Sequence, residues 1–151
     1  METATVARAA RQEASVPFAI RELDHVVLRY RDVERGVRFY CEVLGCSVEK
    51  RRPDIGLVQL RAGASLIDLA DVAGTIGRAG GAAPGKAARN LDHFCLRIEP
   101  WDAAAIARHL AAHGVGGGEP ARRYGADGQG PSIYLFDPEG NQVELKGPPE
   151  G

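Results

Sequence analysis

The sequence predicts an α+β fold made of two β-α-β-β-β modules. The first observation is a repeat, because LDHVVLR at residues 23–29 recurs as LDHFCLR at residues 91–97. The second is that each copy is followed by one helical pattern and then by three short extended segments. A pattern that occurs twice at one fixed spacing indicates a duplicated unit rather than a longer solenoid.

Composition limits the classes of partner. The chain has 151 residues, of which 44% are hydrophobic and 26% are charged, with a formal net charge of −1. The length and the hydrophobic content are enough to bury the core of one domain. The nearly neutral net charge gives no global field that would attract nucleic acid or a membrane surface. No apolar run approaches the roughly 20 residues that span a bilayer. We therefore expect a small-molecule substrate, and neither nucleic acid nor membrane as a partner.

The organisation of the chain follows from the repeat. Residues 1–21 predict a flexible tail, and residues 22–147 form the domain, with module 1 at 22–71, a Gly-rich linker at 72–89 that could act as a lid, and module 2 at 90–147. The three cysteines lack the paired spacings of a disulfide framework or a structural zinc site, which favours a reducing, cytoplasmic setting.

The first module begins with the strand LDHVVLRY. Asp32 is a suitable N-cap for the helix that follows, and Gly45 supplies the left-handed residue that ends it. Three further strands are predicted in SVEKRR, IGLVQLR and ASLIDLA, separated by turns at Pro53-Asp54 and Ala62-Gly63.

The second module repeats this order. LDHFCLRI predicts a strand, and a helix capped by Asp102 is expected to end at Gly114. The strands ARRY, SIYLF and NQVELK follow, and the last two are joined by the turn sequence DPEG.

Two histidines and two carboxylates occupy matching places in the modules. His25 and His93 stand at the same position of the repeated strand, while Asp68 and Glu144 interrupt apolar residues in the last strand of each module. A carboxylate among apolar strand residues costs free energy to bury unless it is paired or binds a metal. If the modules pack about a pseudo-twofold axis, the two imidazoles could converge on one site.

These motifs resemble the vicinal oxygen chelate superfamily, which includes glyoxalase, extradiol dioxygenase and fosfomycin and bleomycin resistance proteins. The resemblance covers roughly residues 22–147 and is strongest in LDHVVLRYRDVERGVRFYCEVLG and YLFDPEGNQVEL. It implies that the modules form a partly open mixed β barrel around a divalent metal ion (Zn, Ni, Mn, Fe or Co). It also implies His25, His93 and Glu144 as ligands, Asp68 in the fourth ligand position, and a homodimer, whose metal site lies within one chain or between two.

The resemblance implies three alternative functions. The first is a lactoylglutathione lyase-like isomerisation through a metal-bound enediolate, with Glu144 as the catalytic base. Because Asp68 is shorter than the glutamate common at its position, the ligands could instead be two histidines and one carboxylate, a set typical of non-haem iron. That set would favour an extradiol-type Fe(II) dioxygenase, and the third alternative is a non-catalytic drug-binding or resistance protein.

Two further groups of residues are weaker candidates. Arg123 and Tyr124 lie in the Gly-rich loop ARRYGADGQG and could contact an anionic or aromatic substrate, although a plain solvated basic loop is the favoured interpretation. His109 and His113 are one helical turn apart, but the HExxH glutamate and a third ligand are missing from the pattern, so we expect them to be exposed.

Overall fold

The computed structural model describes residues 16–150. The predicted tail at 1–21 lies largely outside these residues, and 16–24 precede the first strand. The two modules of β-α-β-β-β are present in the predicted order. No helix in the described part of the chain is both long and apolar enough to cross a membrane.

The elements of the first module match their sequence signals closely. Asp32 caps the first helix, since its Oδ1 accepts a hydrogen bond from the backbone N–H of Arg35 at 3.1 Å, and Gly45 has a φ of +77° after the helix ends. The helix continues from a regular turn into a wider π-helical turn. The bounds are β1 His25–Tyr30, α1 Val33–Arg38, a π-helical turn Phe39–Val43, β2 Ser47–Arg52, β3 Leu57–Ala62 and β4 Ser65–Asp71.

The second module differs from its prediction mainly in the length of its strands. Asp102 caps the second helix through a 3.0 Å hydrogen bond from the N–H of Ala105, as expected. The first strand of this module is shorter than the predicted strand at 91–98, so His93 lies just before the strand rather than inside it. The bounds are β5 Phe94–Arg97, α2 Ala103–Ala112, β6 Ala121–Gly125, β7 Gly128–Phe136 and β8 Gln142–Lys146.

The strands form two open four-stranded mixed sheets with the orders β1-β4-β3-β2 and β5-β8-β7-β6. In each sheet the first strand of the module pairs in parallel with the last strand, and the remaining pairs are antiparallel. Neither sheet closes into a barrel, which agrees with the prediction of an α+β fold with a partly open barrel. The histidine-bearing segments therefore lie at a sheet edge, and the carboxylate-bearing strands lie inside the sheets.

One hydrophobic core draws on both modules. Alternate residues of the strands point to the side covered by the helices, and this burial of apolar side chains supplies the main favourable term in folding. The largest fully buried apolar side chains are Tyr30, Tyr40, Leu28, Leu60, Ile67, Leu69, Leu110, Leu135 and Val143.

A buried carboxylate joins the modules. Asp137, in the turn between β7 and β8, accepts hydrogen bonds at Oδ2 from the hydroxyl groups of Tyr30 at 2.5 Å and Tyr40 at 2.8 Å. Burial, followed by the charge of Asp137, raises the pKa of both phenols, so they remain protonated donors. Glu139 of the same turn accepts the backbone N–H groups of Arg31 and Asp32 at 2.7 Å each. The DPEG segment is thus a hairpin turn that also fixes module 2 to module 1.

A second junction lies beside the first strand of each module. The side chain of Asn90 accepts from the backbone N–H of Arg29 at 3.2 Å and donates to the carbonyl of Arg29 at 3.0 Å. It also donates to Oδ1 of Asn141 at 3.0 Å. Asn90 therefore connects the edge of the first sheet to the segment that leads into β5.

The linker is held by one arginine. The guanidinium of Arg29 donates to the carbonyl groups of Gly77 at 2.8 Å, Gly81 at 2.6 Å and Ala82 at 3.2 Å. A Cβ atom at Gly80 would lie 2.5 Å from this guanidinium, which explains why glycine is suited to that position. A short 3₁₀ helix at Gly77–Gly80 forms around these contacts, so the linker is ordered against module 1.

Candidate metal centre

The strand register places His25 and Asp68 on the same face of the first sheet. Val27 of β1 lies opposite Asp68 of β4, and directly opposed residues share a face. His25 is two residues before Val27 and therefore points to that face as well. The two side chains are diagonal neighbours across a parallel strand pair.

Asp68 is buried rather than solvated. Only 3% of the residue is exposed, and β4 is an interior strand, so Asp68 is neither solvated nor at the edge of the sheet. Its Oδ2 accepts a hydrogen bond from Nε2 of Gln59 at 3.1 Å, whereas its Oδ1 is buried without a partner among the described residues. A buried carboxylate oxygen without a partner is costly, and a cation at this position would offset that cost.

His25 is oriented by the residue before it. Its Nδ1 lies 2.7 Å from Oδ1 of Asp24. This hydrogen bond raises the pKa of His25, and the charge of Asp68 acts in the same direction. The Nε2 atom is left as the imidazole nitrogen that could bind a ligand.

The second module repeats the arrangement. Cys95 of β5 and Tyr134 of β7 both lie opposite Glu144 of β8, so the three share a face, and His93 reaches that face two residues before Cys95. Nε2 of His93 lies 3.5 Å from Oε2 of Glu144, and its Nδ1 lies 2.6 Å from Oδ2 of Asp92. The imidazole is therefore held at one nitrogen and faces a carboxylate with the other.

Asp24 and Asp92 are functional candidates that the sequence interpretation missed. Strand alternation alone assigns an aspartate next to a histidine to the opposite face. Both aspartates precede the regular strands, however, and their side chains turn back to the imidazoles. A carboxylate on Nδ1 fixes the tautomer and orientation of a metal-binding histidine. The signal was available in the sequence, since the dipeptide Asp-His occurs in both copies of the repeat.

The four predicted ligands come together as two pairs. His25 and His93 both line a cavity of about 440 Å³ between the modules. Within residues 16–150 of one chain, no three His, Cys, Asp or Glu side chains lie close enough to hold one metal ion. One chain therefore presents a first half-site, formed by His25 and Asp68, and a second half-site, formed by His93 and Glu144.

Glu144 is surrounded by protonated neighbours. Glu144 is 7% exposed, and the rings of His93 and Tyr134 pack edge to face with centroids 5.4 Å apart. Burial, followed by the charge of Glu144, raises the pKa of Cys95 to about 11 and also raises the pKa of Tyr134. Both groups therefore stay protonated near neutral pH and can donate hydrogen bonds beside this carboxylate.

The predicted substrate residues and the remaining histidines have different surroundings. Arg123 lies over the ring of Tyr134, with Cζ 4.5 Å from the ring centroid, and it donates to the hydroxyl of Ser132 at 2.8 Å. Tyr124 is 67% exposed and lines a cavity that also contains Glu144. His109 and His113 are exposed, as predicted, and Nε2 of His109 lies 2.7 Å from the carbonyl oxygen of Val43.

The chemistry of the residues fits a divalent metal ion. Two imidazole nitrogens and two carboxylates form a mixed nitrogen and oxygen set of the kind that binds zinc and its neighbours. The buried, unpartnered Oδ1 of Asp68 is the structural observation that fits a bound divalent cation. Each half-site offers suitable donor atoms. A complete metal site requires a first half-site and a second half-site to come together.

Comparison with known proteins agrees with this architecture. A model of the Glyoxalase/Bleomycin resistance protein/Dioxygenase superfamily matches residues 22–145. The chain is similar to an integron cassette protein from V. cholerae, with 25% identity and a TM-score of 0.70 over 87% of this chain and 98% of that chain.

Two further solved structures have the same fold. One is a virulence protein from Salmonella typhimurium, with 26% identity and a TM-score of 0.69 over 87% of this chain and 99% of that chain. The other is a lactoylglutathione lyase from Agrobacterium tumefaciens, with 21% identity and a TM-score of 0.63 over 85% of this chain and 95% of that chain. By sequence and fold, the chain belongs to the Glyoxalase/Bleomycin resistance protein/Dioxygenase superfamily.

Proposed function

We propose that this protein is a divalent-metal-dependent enzyme that catalyses a lactoylglutathione lyase-like isomerisation. The observation that carries the proposal is the buried, unpartnered Oδ1 of Asp68 on the face that also carries His25. The second half-site supports it, because Nε2 of His93 faces the carboxylate of Glu144. In this proposal His25, Asp68, His93 and Glu144 hold the metal.

The two half-sites meet between chains in this proposal. His25 is 47% exposed at its side chain, and Val27, on the same open face, is 45% exposed. A homodimer with twofold symmetry would bring the first half-site of each copy to the second half-site of the other, which gives four donors at each of two equivalent sites. The exposed face of β1 would become buried in that assembly.

The chemistry assigned to the chain centres on Glu144. A bound divalent ion would act as a Lewis acid toward two neighbouring oxygens of the substrate. Glu144 would remove a proton from the carbon next to a carbonyl group and return it to the neighbouring carbon. Tyr134 and Cys95 are protonated donors beside Glu144, and they would hold its carboxylate in position. The substrate class is a hemithioacetal of a 2-oxoaldehyde and glutathione.

One contact favours a second candidate function. The hydrogen bond from Gln59 occupies Oδ2 of Asp68, and if that contact withholds Asp68 from the metal, His25, His93 and Glu144 remain. Two histidines and one carboxylate form the usual set for non-haem Fe(II) oxygenases. The second candidate is therefore ring cleavage of a catechol with dioxygen.

Metal content and turnover together test the proposal. The protein would be purified without an affinity-tag metal, analysed for its elements, refilled with Ni, Zn, Co or Fe(II), and assayed with a methylglyoxal and glutathione mixture and with catechol. Ni, Zn or Co with isomerase turnover supports the lyase-like proposal, and oxygen-sensitive Fe(II) with catechol cleavage supports the dioxygenase. Failure to bind any of these metals after refilling would contradict both and favour a non-catalytic binding protein.

A mixing experiment tests the assembly. One variant would lack the first half-site (His25→Ala with Asp68→Asn) and the other the second (His93→Ala with Glu144→Gln). If the half-sites meet between chains, an equal mixture that has exchanged subunits regains about a quarter of the wild-type metal content. Random exchange makes about half of the dimers mixed, and each mixed dimer contains one intact site of its two. If each chain holds its own metal, the mixture regains none. The control is the single variant His113→Ala, which keeps both half-sites and should bind metal as fully as the wild type.

A further inference from the structure

The carboxylate of Asp68 is held by one side chain of the neighbouring strand. Gln59 of β3 lies directly opposite Asp68 of β4 in the antiparallel register, so the two side chains share a face of the sheet. Nε2 of Gln59 donates to Oδ2 of Asp68 at 3.1 Å. Among residues 16–150, this is the one hydrogen bond that the Asp68 carboxylate accepts. The amide therefore fixes one oxygen of a residue that is 3% exposed.

The two oxygens of this carboxylate differ in what remains available to them. Gln59 occupies Oδ2, whereas Oδ1 is buried and accepts no hydrogen bond from the described residues. β4 lies between β3, which carries the amide, and β1, which carries His25. The hydrogen bond comes from the β3 side, and the imidazole stands on the β1 side of the same face. Oδ1 is therefore the oxygen that a cation shared with His25 would contact.

The hydrogen bond from Gln59 limits the rotation of the carboxyl group. The torsion about the Cβ–Cγ bond of an aspartate has a broad range, so an unrestrained carboxylate can present one oxygen or both to a ligand. A hydrogen bond to one oxygen removes that freedom. Such contacts from neighbouring side chains orient the ligands of metal sites in general.

The second module has a side chain in the matching place. Tyr134 of β7 lies directly opposite Glu144 of β8, which is the position that Gln59 has relative to Asp68. In each module the third strand thus places a side chain with a hydrogen-bond donor opposite the carboxylate of the fourth strand. The repeat therefore includes the neighbours of the carboxylates as well as the candidate ligands.

We propose that Gln59 is a positioning residue that makes Asp68 bind the metal through Oδ1 alone. The inference rests on the proposed function, because Asp68 is a ligand of that site. In this account the amide directs Asp68 to the metal instead of withholding it. A carboxylate released from the amide would turn, and it would then bind through both oxygens or leave the metal.

The test uses infrared spectra of the intact protein with ¹³C in its aspartate carboxyl groups. Metal-free and Zn²⁺-loaded samples would be compared for the wild type, Gln59→Met and Gln129→Met, and the bands missing from Asp68→Asn are those of Asp68. Methionine is as long as glutamine and unbranched, but it has no N–H donor. Gln129 is an exposed glutamine of β7, so Gln129→Met is the matched control. Competition with a chromophoric chelator gives the Zn²⁺ affinity of the same samples.

The spacing of the two carboxylate stretching bands reports how Asp68 binds. A carboxylate bound through one oxygen has a wider spacing between its asymmetric and symmetric bands than one bound through two. We expect the wide spacing in the Zn²⁺-loaded wild type and in Gln129→Met. In Gln59→Met we expect a narrow spacing or loss of the Zn²⁺-induced shift, with a Zn²⁺ affinity about 10- to 100-fold weaker.

The bands decide the inference. Bands in Gln59→Met that match those of the wild type would overturn it even if the affinity falls, because a loosened strand would also lower the affinity. A narrow spacing in the wild type, or Asp68 bands that do not respond to Zn²⁺, would overturn it as well. If Gln59→Met does not fold, the wild-type spacing decides alone.

An assay with methylglyoxal and glutathione on the same samples separates this inference from the proposed function. Altered Asp68 bands in Gln59→Met without isomerase turnover by the wild type would support the role of Gln59 and contradict the isomerase. Turnover by the wild type with equal bands in both proteins would support the isomerase and overturn the role of Gln59. A wild type that takes up no metal would contradict both.

Discussion

Nε2 of His93 lies 3.5 Å from Oε2 of Glu144, while Nδ1 of the same ring is held 2.6 Å from Asp92. This arrangement presents one fixed imidazole nitrogen to a carboxylate that is 7% exposed. The first module places His25 beside Asp24 in the same manner. A duplicated strand has therefore preserved a histidine together with the carboxylate that orients it.

The orienting carboxylates should contribute to metal affinity. We expect Asp24→Asn and Asp92→Asn each to weaken Zn²⁺ binding by about 10- to 100-fold, because the amide orients the imidazole less strongly and lowers its basicity. Competition with a chromophoric chelator measures the affinity. Asp54→Asn removes an exposed carboxylate from the turn before β3 and should leave the affinity unchanged. Equal affinity in the wild type and both orienting variants would contradict the role assigned to Asp24 and Asp92.

Removing the charge of Asp68 should have opposite effects in the two metal states. Without metal, Asp68→Asn should raise the melting temperature, because a buried carboxylate oxygen without a partner is replaced by a neutral amide. With saturating Zn²⁺, the same substitution should lose most of the metal-dependent stabilisation. Thermal unfolding with and without Zn²⁺ measures the melting temperature of the metal-free protein and its increase on metal binding. Glu42→Gln changes an exposed carboxylate and is the control, which should behave as the wild type in both states. A Zn²⁺-induced shift equal to that of the wild type would show that Asp68 is not a ligand.

The carboxylate of Asp137 should be important for joining the modules. Tyr30→Phe and Tyr40→Phe each delete one buried hydrogen bond to a charged group, and each should lower the free energy of unfolding by about 2 kcal/mol. Asp137→Ala should cost more than either, because it leaves both hydroxyl groups without their acceptor. Urea unfolding measures these changes, with the exposed Tyr124→Phe as the control. Losses below about 0.5 kcal/mol for both tyrosine variants would contradict the importance of this network.

Arg29 should control the mobility of the linker. Its guanidinium holds the carbonyl groups of Gly77, Gly81 and Ala82, so Arg29→Met should increase local opening of residues 72–89. Trypsin cleavage after Arg78 and Lys86 should then be several times faster than in the wild type. Arg35→Met changes an exposed arginine of α1 and should not alter the rate. Equal cleavage rates in Arg29→Met and the wild type would show that these contacts do not restrain the linker.

The fold could be predicted from local signals. Asp32 and Asp102 both cap the helices that their positions indicate, and Gly45 and Gly114 both adopt positive φ after those helices. These features depend on a few neighbouring residues, which is why a single sequence reveals them. The π-helical turn at Phe39–Val43 was not predicted, since it occurs where Tyr40 reaches Asp137, a residue far away in sequence.

The candidate site was only partly predictable for the same reason. The repeat and the strand period predicted the candidate ligand residues and the faces they share, but the burial of Asp68 depends on the strand order, which places β4 between two neighbours. The contact of Gln59 with Asp68 likewise exists only after β3 has paired with β4. Burial and non-local contacts are properties of the assembled sheets rather than of the local sequence.

The position of a bound metal tests the central claim most directly. Crystals of the Zn²⁺-loaded protein would be measured at the zinc absorption edge, and the anomalous difference map would locate the ion. We expect a peak about 2.0–2.1 Å from an Nε2 atom of His25 and of His93, with the carboxylate of Glu144 as a further ligand. Zinc bound elsewhere, or no peak after loading, would contradict the account.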